Sequence, residues 1–348
     1  MSKKEIRSYN LNELIQEMET LGHKKFRAKQ IYEWLHVKLA VSFDEMSNLP
    51  KTLRERLSAD YDVGMLSLAE HQISRQDDTN KFLFGLSDGY VVESVLMRYK
   101  HGNSVCISSQ VGCRMGCVFC ASTIGGLSRN LSVAEMLGQV YAIQKLNGER
   151  ISNIVVMGTG EPLDNYDNFL KFIRMISDEH GLNISQRNIT VSTCGLIDEI
   201  RRLADERLQI TLALSLHGAN QQKRESLMPI ARHNNLDDVL AACDYYFTRT
   251  GRRVTCEYSL VEGVNDTDRD VAELTALLKD RKFHLNVIPV NPIKERNFVR
   301  PSRENARKFQ NKLEKNMINV TIRREMGSDI DGACGQLRRK HISKEKDL

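Results

Sequence analysis

The chain contains the stretch Val111-Gly-Cys-Arg-Met-Gly-Cys-Val-Phe-Cys120, in which three cysteines are separated by three and then two residues. Three thiolates this close can ligate one metal centre, and Gly112 and Gly116 let the backbone curl so that the sulfurs converge. A structural zinc site normally has four ligands, usually as two separated cysteine pairs, and no second pair of this kind occurs here. We therefore expect a [4Fe-4S] cluster with one open iron, bound by Cys113, Cys117 and Cys120.

The spacing alone leaves two other interpretations of these cysteines open. They are compatible with a zinc knuckle whose fourth ligand is distant in sequence, and with free thiols in a reducing cytosol. A knuckle would suit a non-catalytic RNA-binding protein, whereas a cluster with an open iron would suit an enzyme. Iron analysis of the anaerobically purified protein separates these classes, because a zinc knuckle contains no iron.

The composition is that of a globular protein with one large or two ordinary domains. The 348 residues are 41% hydrophobic and 27% charged, and no apolar run approaches membrane-spanning length. The N-terminal stretch Met1-Ser-Lys-Lys-Glu-Ile-Arg7 lacks the apolar segment of a secretory signal. We therefore expect a cytoplasmic protein without a membrane partner. Eight cysteines are too sparse in this length for a disulfide scaffold.

The net charge of +5 comes from 50 basic and 45 acidic residues, but the excess is local. Basic clusters lie at 294–308 and 338–341, and a third, at residues 24–29, crowds the start of a predicted helix. Such clusters either face water or contact nucleic-acid phosphates, and charge alone does not decide between the two.

The N-terminal region is predicted to be a small helical domain followed by a β-hairpin. Residues 11–21 and 26–39 have helical apolar periodicity, and Ser42-x-x-Glu45 has the spacing of a capping box. The pair Asp88-Gly89 between two β-prone runs is a strong hairpin signal. We assign a helical accessory domain that binds RNA to 1–75, a β-hairpin linker to 76–100, and the core with its C-terminal cysteine loop to 101–348.

From residue 105 onward, β-prone runs alternate with helical ones. The strands are predicted near 105–109, 152–157, 189–193, 209–216, 254–261 and 283–290, and a capping box at Ser132-x-x-Glu135 begins the first helix. Six strand-helix units predict a parallel sheet with covered faces, which on curling becomes a partial (β/α)6 barrel. An open doubly wound sheet has the same periodicity and stays an alternative.

Polar residues cluster where the predicted strands end, which is the edge where reacting groups lie in barrels of this kind. The stretch Met157-Gly-Thr-Gly-Glu-Pro162 follows one strand, and its Glu161 offers a carboxylate to an ammonium group. Its glycine pair alone is weak, because a plain turn has the same pattern. His217 taken alone is better explained as a hydrogen-bonded core residue. As one set around a rim, these residues predict a cofactor pocket.

Two further cysteines stand apart from the triad. Cys334 lies in the polar stretch Gly327-Ser-Asp-Ile-Asp-Gly-Ala-Cys-Gly335 and is predicted to be an accessible thiol. Cys106 lies in a short predicted strand, where a small core residue and a functional thiol are equally good interpretations.

The triad with Phe119 before its last cysteine resembles the radical S-adenosylmethionine (radical SAM) superfamily. Further motifs, together with the triad, resemble the RlmN family of bacterial dual-specificity RNA methyltransferases over nearly the whole chain. These motifs are Asn103-Ser-Val-Cys106, Gly158-x-Gly-Glu-Pro162, Ser215-Leu-His217, Leu227-Met-Pro229 and Arg323-Arg-Glu-Met-Gly-Ser-Asp-Ile-Asp-x-Ala-Cys-Gly-Gln-Leu-Arg338. Two departures from the family pattern are Thr159, where Met is usual, and Gly332, where Ala is usual.

The resemblance implies roles for individual residues. It implies that Cys334 becomes S-methylated, that Cys106 resolves the adduct through a transient disulfide with Cys334, and that Glu93 accepts a proton. The triad corresponds to the ligands of one [4Fe-4S] cluster. The residues that correspond to the S-adenosylmethionine pocket are Gly160, Glu161, Ser192, Ser215, Leu216, His217 and Asn291. Cys194, Cys243 and Cys256 correspond to no role and are interpreted as structural.

The resemblance also implies the reaction and its partners. Members of the family methylate carbon 2 of an adenine in 23S ribosomal RNA (23S rRNA) and in tRNA, and use two S-adenosylmethionine molecules per turnover. The related Cfr resistance methyltransferases modify carbon 8, which is the alternative activity. The partners implied are 23S rRNA, tRNA, an external electron donor and a disulfide reductant, and the enzyme is expected to be a monomer.

Overall fold

The computed structural model describes residues 3–293, 296–330 and 335–346, with the side chains of the last helix described through residue 341. The N-terminal region is helical as far as Asp60 and contains α1 (Leu11–Thr20), α2 (Lys25–His36) and α3 (Lys51–Asp60). Asn10 and Glu13 form a reciprocal capping box at the start of α1. Two short strands, β1 (Lys4–Glu5) and β2 (Tyr61–Asp62), pair in parallel beside these helices.

Two expectations for this region are wrong. Residues Phe43–Glu45 form one turn of 3-10 helix, and Ser42 makes no capping hydrogen bond. The Glu45 carboxylate instead accepts a hydrogen bond from the Val41 backbone at 3.1 Å. The helical assignment of 1–75 also extends too far, because Ser67–Ile73 forms strand β3. β3 is the edge strand of its sheet and none of its residues is buried, so its sequence lacks the alternation of apolar and polar residues that marks a half-buried strand.

The strand that pairs with β3 belongs to the predicted hairpin, whose strands are β4 (Asn80–Gly85) and β5 (Val91–Tyr99). They are antiparallel, with Gly85 opposite Val91 across the Asp88-Gly89 turn, so the predicted hairpin is confirmed. β3 adds antiparallel to β4, and β5 pairs antiparallel with β6 (Gly102–Cys106). We call β3, β4 and β5 the β-extension. It continues the sheet of the core and is therefore more than a linker.

The core begins at β6, which is followed by a two-stranded antiparallel ribbon, β7 (Gln110–Gly112) and β8 (Leu127–Asn130). The remaining strands are β9 (Ile151–Val156), β10 (Ile189–Thr193), β11 (Thr211–Ser215), β12 (Val254–Leu260), β13 (Phe283–Pro289) and β14 (Val320–Ile322). The remaining helices are α4 (Val133–Asn147), α5 (Tyr166–Ile176), α6 (Ile197–Asp205), α7 (Gln221–Leu227), α8 (Leu236–Thr250), α9 (Asp268–Leu278), α10 (Arg303–Lys315) and α11 (Gln336–Lys346). The predicted capping box of Ser132 and Glu135 begins α4.

The strand order decides between the two predicted architectures. In the ten-stranded sheet the order is β14-β13-β12-β11-β10-β9-β6-β5-β4-β3, and the pairs from β14 to β6 are all parallel. Each parallel strand lies beside the next one in the chain, so right-handed crossovers put the helices on one face. A doubly wound sheet would reverse its strand order at a switch point. The partial (β/α)6 barrel is therefore the observed fold.

The helical N-terminal region shares one hydrophobic core with the barrel. The guanidinium of Arg7 is buried where they meet, donates to the Ala40 carbonyl at 2.8 Å and lies over the ring of Tyr141 of α4. His36 contacts the Tyr141 hydroxyl at 2.9 Å, and burial lowers the pKa of His36 to about 3. In the described part of the chain, no helix has the length and apolarity needed to span a bilayer.

Candidate active site

A cavity of about 320 Å³ opens where the parallel strands end. Cys106 at the end of β6, Ser192 of β10, Ser215 of β11 and Ser259 of β12 contribute to its wall. All three triad cysteines line the same cavity, as do Arg323, Arg324 and Glu325, which follow β14. The strand ends and the cysteine loop therefore meet at the C-terminal edge of the strands, where reacting groups lie in barrels of this kind.

The cysteine loop connects the two strands of the β7–β8 ribbon. Gly112 has φ +83°, and an ideal Cβ at this position would stand 2.0 Å from the carbonyl oxygen of Gly126, so only glycine fits. The loop is closed by the Thr123 hydroxyl, which donates to the carbonyl oxygens of Cys117 and Cys120 at 3.0 and 2.9 Å. The ribbon therefore fixes both ends of a loop that turns its thiols toward the cavity.

Contacts outside the loop hold it against the barrel. The backbone of Val118 donates to the carbonyl of Leu227 at 2.9 Å, so the stretch Leu227-Met-Pro229 lies against the cysteine loop. On the other side, the Arg114 guanidinium forms two hydrogen bonds with the Asp164 carboxylate. A bidentate pair of this kind fixes orientation as well as distance.

The donor set and its surroundings fit an iron–sulfur cluster. Among the described residues, no three or more His, Cys, Asp or Glu side chains are placed to hold a single metal ion. The thiolates of a [4Fe-4S] cluster bind different irons and stand farther apart than the ligands of one ion. The ligands that the cysteine loop brings to the cavity are thiols, which suit iron–sulfur chemistry.

A buried cation gives a second indication of an anionic group at this place. Arg224 of α7 is fully buried, and one of its nitrogens, Nη2, donates to the Cys194 carbonyl. Its Nε and Nη1 have no hydrogen-bond partner within the described chain. Its charge acts on the thiols of Cys194 and Cys117. An uncompensated buried charge is costly, and a cluster with three thiolates would supply the missing negative charge.

The stretch Met157-Gly-Thr-Gly-Glu-Pro162 forms a tightly packed turn at the cavity wall. An ideal Cβ on Gly158 would lie 2.7 Å from the Ile107 backbone. The Glu161 carboxylate accepts backbone hydrogen bonds from Leu163 at 3.1 Å and Cys194 at 2.8 Å. Burial raises the pKa of Glu161 to about 7 although these bonds oppose the rise. The turn therefore presents a buried carboxyl group to the cavity.

His217 both lines the cavity and makes the hydrogen bond of a core histidine. Its Nδ1 accepts from the Ser259 backbone at 2.9 Å, and its ring meets the Phe119 ring edge-on at 4.8 Å. It has φ +53°, and burial lowers its pKa to about 3, so the imidazole is neutral. Leu216 is fully buried and is not among the cavity-lining residues, unlike Gly160, Ser192, Ser215 and Asn291.

Glu93 lies beside the chain that follows the second lone cysteine. Cys334 itself is outside the described residues. Gly335, the next residue, donates its backbone N–H to the Glu93 carboxylate at 2.6 Å. An ideal Cβ on Gly335 would stand 2.8 Å from the backbone nitrogen of Ser122, two residues after Cys120. Gly335 is therefore packed between Glu93 and the end of the cysteine loop.

Sequence reasoning missed two buried charges near the site. Lys81 of β4 is fully buried, and its Nζ lies 3.2 Å from the Glu93 carboxylate. Glu257 of β12 lines the cavity and accepts a hydrogen bond from the Asn286 amide at 2.8 Å. Burial raises the pKa of Glu257 although the charge of Arg323 opposes the rise. In both cases, a charged residue inside an otherwise apolar strand was the available signal.

The basic clusters are partly used within the protein. Arg300 forms a bidentate ion pair with Glu325 at the cavity, and Arg338 donates from Nε to the Val91 carbonyl at 3.1 Å. Lys294 is outside the described residues. Two arginines of these clusters, Arg300 and Arg338, therefore have partners within the protein, and phosphate binding by the clusters stays a prediction.

Two family models match the chain. The model described as the radical SAM superfamily matches residues 107–275. The model described as the ribosomal RNA large subunit methyltransferase N-terminal domain matches residues 4–63. The second match ends near β2, in agreement with a helical region shorter than the sequence suggested.

Similar proteins cover nearly the whole chain. A probable dual-specificity RNA methyltransferase RlmN of Lachnoclostridium phytofermentans is 62% identical over 98% of this chain and 96% of its own. A protein of the same name from Clostridium perfringens is 51% identical over 97% of this chain and 98% of its own. The crystal structure of a radical SAM methyltransferase from Sphaerobacter thermophilus superimposes with a TM-score of 0.92 at 42% identity, covering 96% and 98% of the two chains. The chain therefore belongs to the radical SAM superfamily and, within it, to the RlmN family of RNA methyltransferases.

Proposed function

We propose that this enzyme methylates carbon 2 of an adenine in 23S rRNA and in tRNA, through an S-methyl intermediate on Cys334. Family membership and the names of the relatives support RNA as the substrate. Carbon 2 lies between two electron-withdrawing nitrogens and is not a nucleophile, so direct displacement of a methyl group from a sulfonium fails. When bound, the cluster held by Cys113, Cys117 and Cys120 and the S-adenosylmethionine would supply the one-electron chemistry that activates the methyl group.

The first task of the protein is to carry the methyl group. The Cys334 thiolate attacks the methyl carbon of one S-adenosylmethionine, forms the carbon–sulfur bond and releases S-adenosylhomocysteine. The residues that would hold a second S-adenosylmethionine line the cavity, namely Glu161, Ser192, Ser215, His217 and Asn291. The carboxyl group of Glu161 and the polar strand ends orient it against the cysteine loop, and the buried walls exclude water.

The second task is to release the product, and the contact of Gly335 with Glu93 is the observation that carries this step. Gly335 directly follows Cys334 in the sequence, so its hydrogen bond to the Glu93 carboxylate supports a role for that carboxylate in this step. Glu93 takes the proton from carbon 2 once the methylene group is attached.

Cys106 then completes the release. Its thiolate attacks the Cys334 sulfur, the sulfur–carbon bond breaks, and the carbon keeps the bonding pair and gains a proton as the new methyl group. The two sulfurs end as a disulfide, so a dithiol reductant must return two electrons before the next turnover. The position of Cys106 on the wall of the cavity supports this role.

The target base must leave its stack to reach the barrel edge, which favours loops over duplex RNA. We propose that the helical N-terminal region contributes to RNA binding. Lys24, Lys25 and Lys29 are exposed around the start of α2, and the ring of Phe26 between them is 49% exposed. Cationic groups beside an exposed aromatic ring suit phosphates and an unstacked base. Both RNAs occur in the cytoplasm, where we expect the enzyme to act as a monomer.

The test is to incubate the anaerobically reconstituted enzyme with S-adenosylmethionine, a one-electron reductant and unmodified 23S rRNA fragments or tRNA. Nucleoside analysis by mass spectrometry should show 2-methyladenosine. Methylation at carbon 8 would assign the Cfr-type activity, and a protein that contains zinc without iron would leave only the RNA-binding alternative. The Cys334→Ala variant is the control, because it removes the methyl acceptor while it keeps reductive cleavage of S-adenosylmethionine.

A further inference from the structure

The turn 74–79, between β3 and β4, contacts a segment about 250 residues later in the chain. The Ser74 hydroxyl donates to one Asp329 carboxylate oxygen at 2.6 Å, and the Arg75 backbone donates to the other at 2.8 Å. Ser74 is buried, so one of the two donors is shielded from water. Both oxygens of Asp329 are therefore held by the turn.

The contact is reciprocal, because the turn also holds the backbone of the segment. The Gly327 N–H donates to the Asp77 carboxylate at 2.8 Å, and the Ser328 hydroxyl donates to the Gln76 side chain at 2.8 Å. Gly327 has φ +64°, and an ideal Cβ there would lie 3.3 Å from the methyl carbon of Thr79. The segment and the turn are thus in close contact, and Thr79 itself lines the cavity.

The two carboxylates are ionised at neutral pH. Hydrogen bonds from Ser74 and Arg75 lower the pKa of Asp329. For Asp77, burial opposes ionisation, but hydrogen bonds from Gly327 and Thr79 outweigh it, and the pKa is lowered. Hydrogen bonds to ionised carboxylates are stronger than those between neutral groups.

The β-extension also holds the chain on the other side of residues 331–334. The Glu93 carboxylate of β5 accepts from the backbones of Gly335 and Arg338 at 2.6 and 2.5 Å. Only the five residues 330–334 separate the anchored Asp329 from the anchored Gly335. Both anchors therefore lie within a few residues of Cys334 in the sequence.

We infer that the turn 74–79 is a positioning element for the methyl-carrying cysteine, with Ser74, Asp77 and Asp329 as positioning residues. The inference rests on the proposed function, in which the Cys334 sulfur must meet an RNA carbon and then the Cys106 sulfur. A group with two successive partners reacts faster when its freedom is limited, because less entropy is lost at each step. The β-extension therefore acts at a distance, through the chain that leads to the thiol.

The first test is hydrogen exchange of the anaerobically purified full-length chain, measured by mass spectrometry on peptides covering 325–330. Asp77→Ala and Asp329→Ala should raise the exchange rate there by about tenfold, as expected for the loss of a charge-assisted hydrogen bond. Glu70→Ala is the matched control, since Glu70 lies on β3 and its carboxylate accepts a hydrogen bond from the Gln72 amide of the same strand. Unchanged exchange in both aspartate variants would overturn the inference.

The second test is the coupling ratio, the number of S-adenosylmethionine molecules cleaved reductively per methyl group delivered to RNA. The aspartate variants should keep the wild-type cleavage rate and melting temperature but raise this ratio by about tenfold, if they lose positioning alone. Asp77→Asn keeps an oxygen that accepts from Gly327 and should restore most of the coupling. A variant that only loosens the fold would lower cleavage and transfer together.

The outcomes separate this inference from the proposed function. If the wild-type chain methylates RNA and both aspartate variants keep its coupling ratio, the positioning role is wrong while the function stands. If the wild-type chain transfers no methyl group to RNA, the proposed function fails, and the exchange measurement alone decides whether the turn holds the segment. Ser74→Ala removes one donor only and serves as the test variant should the aspartate variants not fold.

Discussion

Lys81 and Glu93 are diagonal neighbours on the adjacent strands β4 and β5, with 3.2 Å between Nζ and Oε2 and both side chains buried. Glu93 also binds the backbone of Gly335 and Arg338, so the pair connects the β-extension to the chain beside Cys334. Burying two charges is costly unless each is well paired, and removing one partner leaves the other uncompensated.

We expect Lys81→Met to lower the free energy of unfolding by about 3 kcal/mol, since it leaves the Glu93 carboxylate buried without its cation. Urea denaturation measures this change. Lys51→Met, which removes an exposed pair with Glu55, is the matched control and should change stability little. The double variant Lys81→Met, Glu93→Gln should recover part of the loss. Equal stability of the two single lysine variants would contradict the importance of the buried pair.

Gly335→Ala tests the packing of the chain after Cys334 against the cysteine loop. The new Cβ would stand 2.8 Å from the Ser122 nitrogen at a φ of +78°, so the backbone must shift. We expect methyl transfer to fall at least about tenfold, as for a misplaced reacting group, while S-adenosylmethionine cleavage persists. Gly125→Ala is the control, because Gly125 also has a positive φ but a Cβ there would have no atom within 4 Å. It therefore measures the backbone strain without the steric clash. Equal activities would argue against the close packing.

Cys106→Ala should pass through addition to the RNA base and then stall, because no thiol remains to attack the Cys334 sulfur. A denaturing gel should show protein covalently joined to RNA, and the band should vanish in the Cys106→Ala, Cys334→Ala double variant. Cys243→Ala is the control, since Cys243 is fully buried in the hydrophobic core. Were Cys106 merely structural, its variant would lose about 1 kcal/mol of stability and form no adduct.

Arg224→Met removes the buried cation whose charge acts on Cys117 and Cys194. Loss of a positive charge disfavours the reduced, more negative cluster, so its midpoint potential should fall by on the order of 60 mV, a tenfold change for one electron. A redox titration followed by electron paramagnetic resonance measures the shift. Arg224→Lys keeps the charge and should stay close to the wild-type potential. A potential unchanged in the methionine variant would show that the guanidinium does not compensate the cluster.

His36, which is buried between the helical region and the barrel, should make the free energy of unfolding depend on pH. Burial lowers its pKa from the usual 6.5 to about 3, so below pH 6.5 the unfolded chain binds a proton that the folded chain does not. The contribution is complete above pH 6.5, and about 2 kcal/mol of it should be lost between pH 7 and pH 5. His36→Gln should flatten this dependence in denaturation measurements. His180→Gln, at an exposed position, should keep the wild-type slope.

The sequence by itself determined the features that depend on neighbouring residues. The alternation of strands and helices predicted a parallel sheet of strand-helix units because apolar periodicity is local, although the strand order that makes it a barrel came from the structure. Asp88-Gly89 predicted the hairpin because two residues set that turn. The spacing of the triad placed three thiols in one short loop, and Ser132 with Glu135 marked the start of α4. The roles of single residues came from the resemblance to a known family, because the periodicity of a sequence does not indicate them.

Only the tertiary structure decided which distant residues meet. The contact of Asp77 with Gly327 joins residues 250 positions apart, and that of Glu93 with Gly335 joins residues 242 apart. Strand β3 escaped prediction because it lies at the sheet edge with no buried residue. The charge of Lys81 is tolerated in an apolar strand because Glu93 lies on the neighbouring one. Such pairings depend on strand order and register, which arise from packing of the whole sheet and leave little trace in a local stretch of sequence.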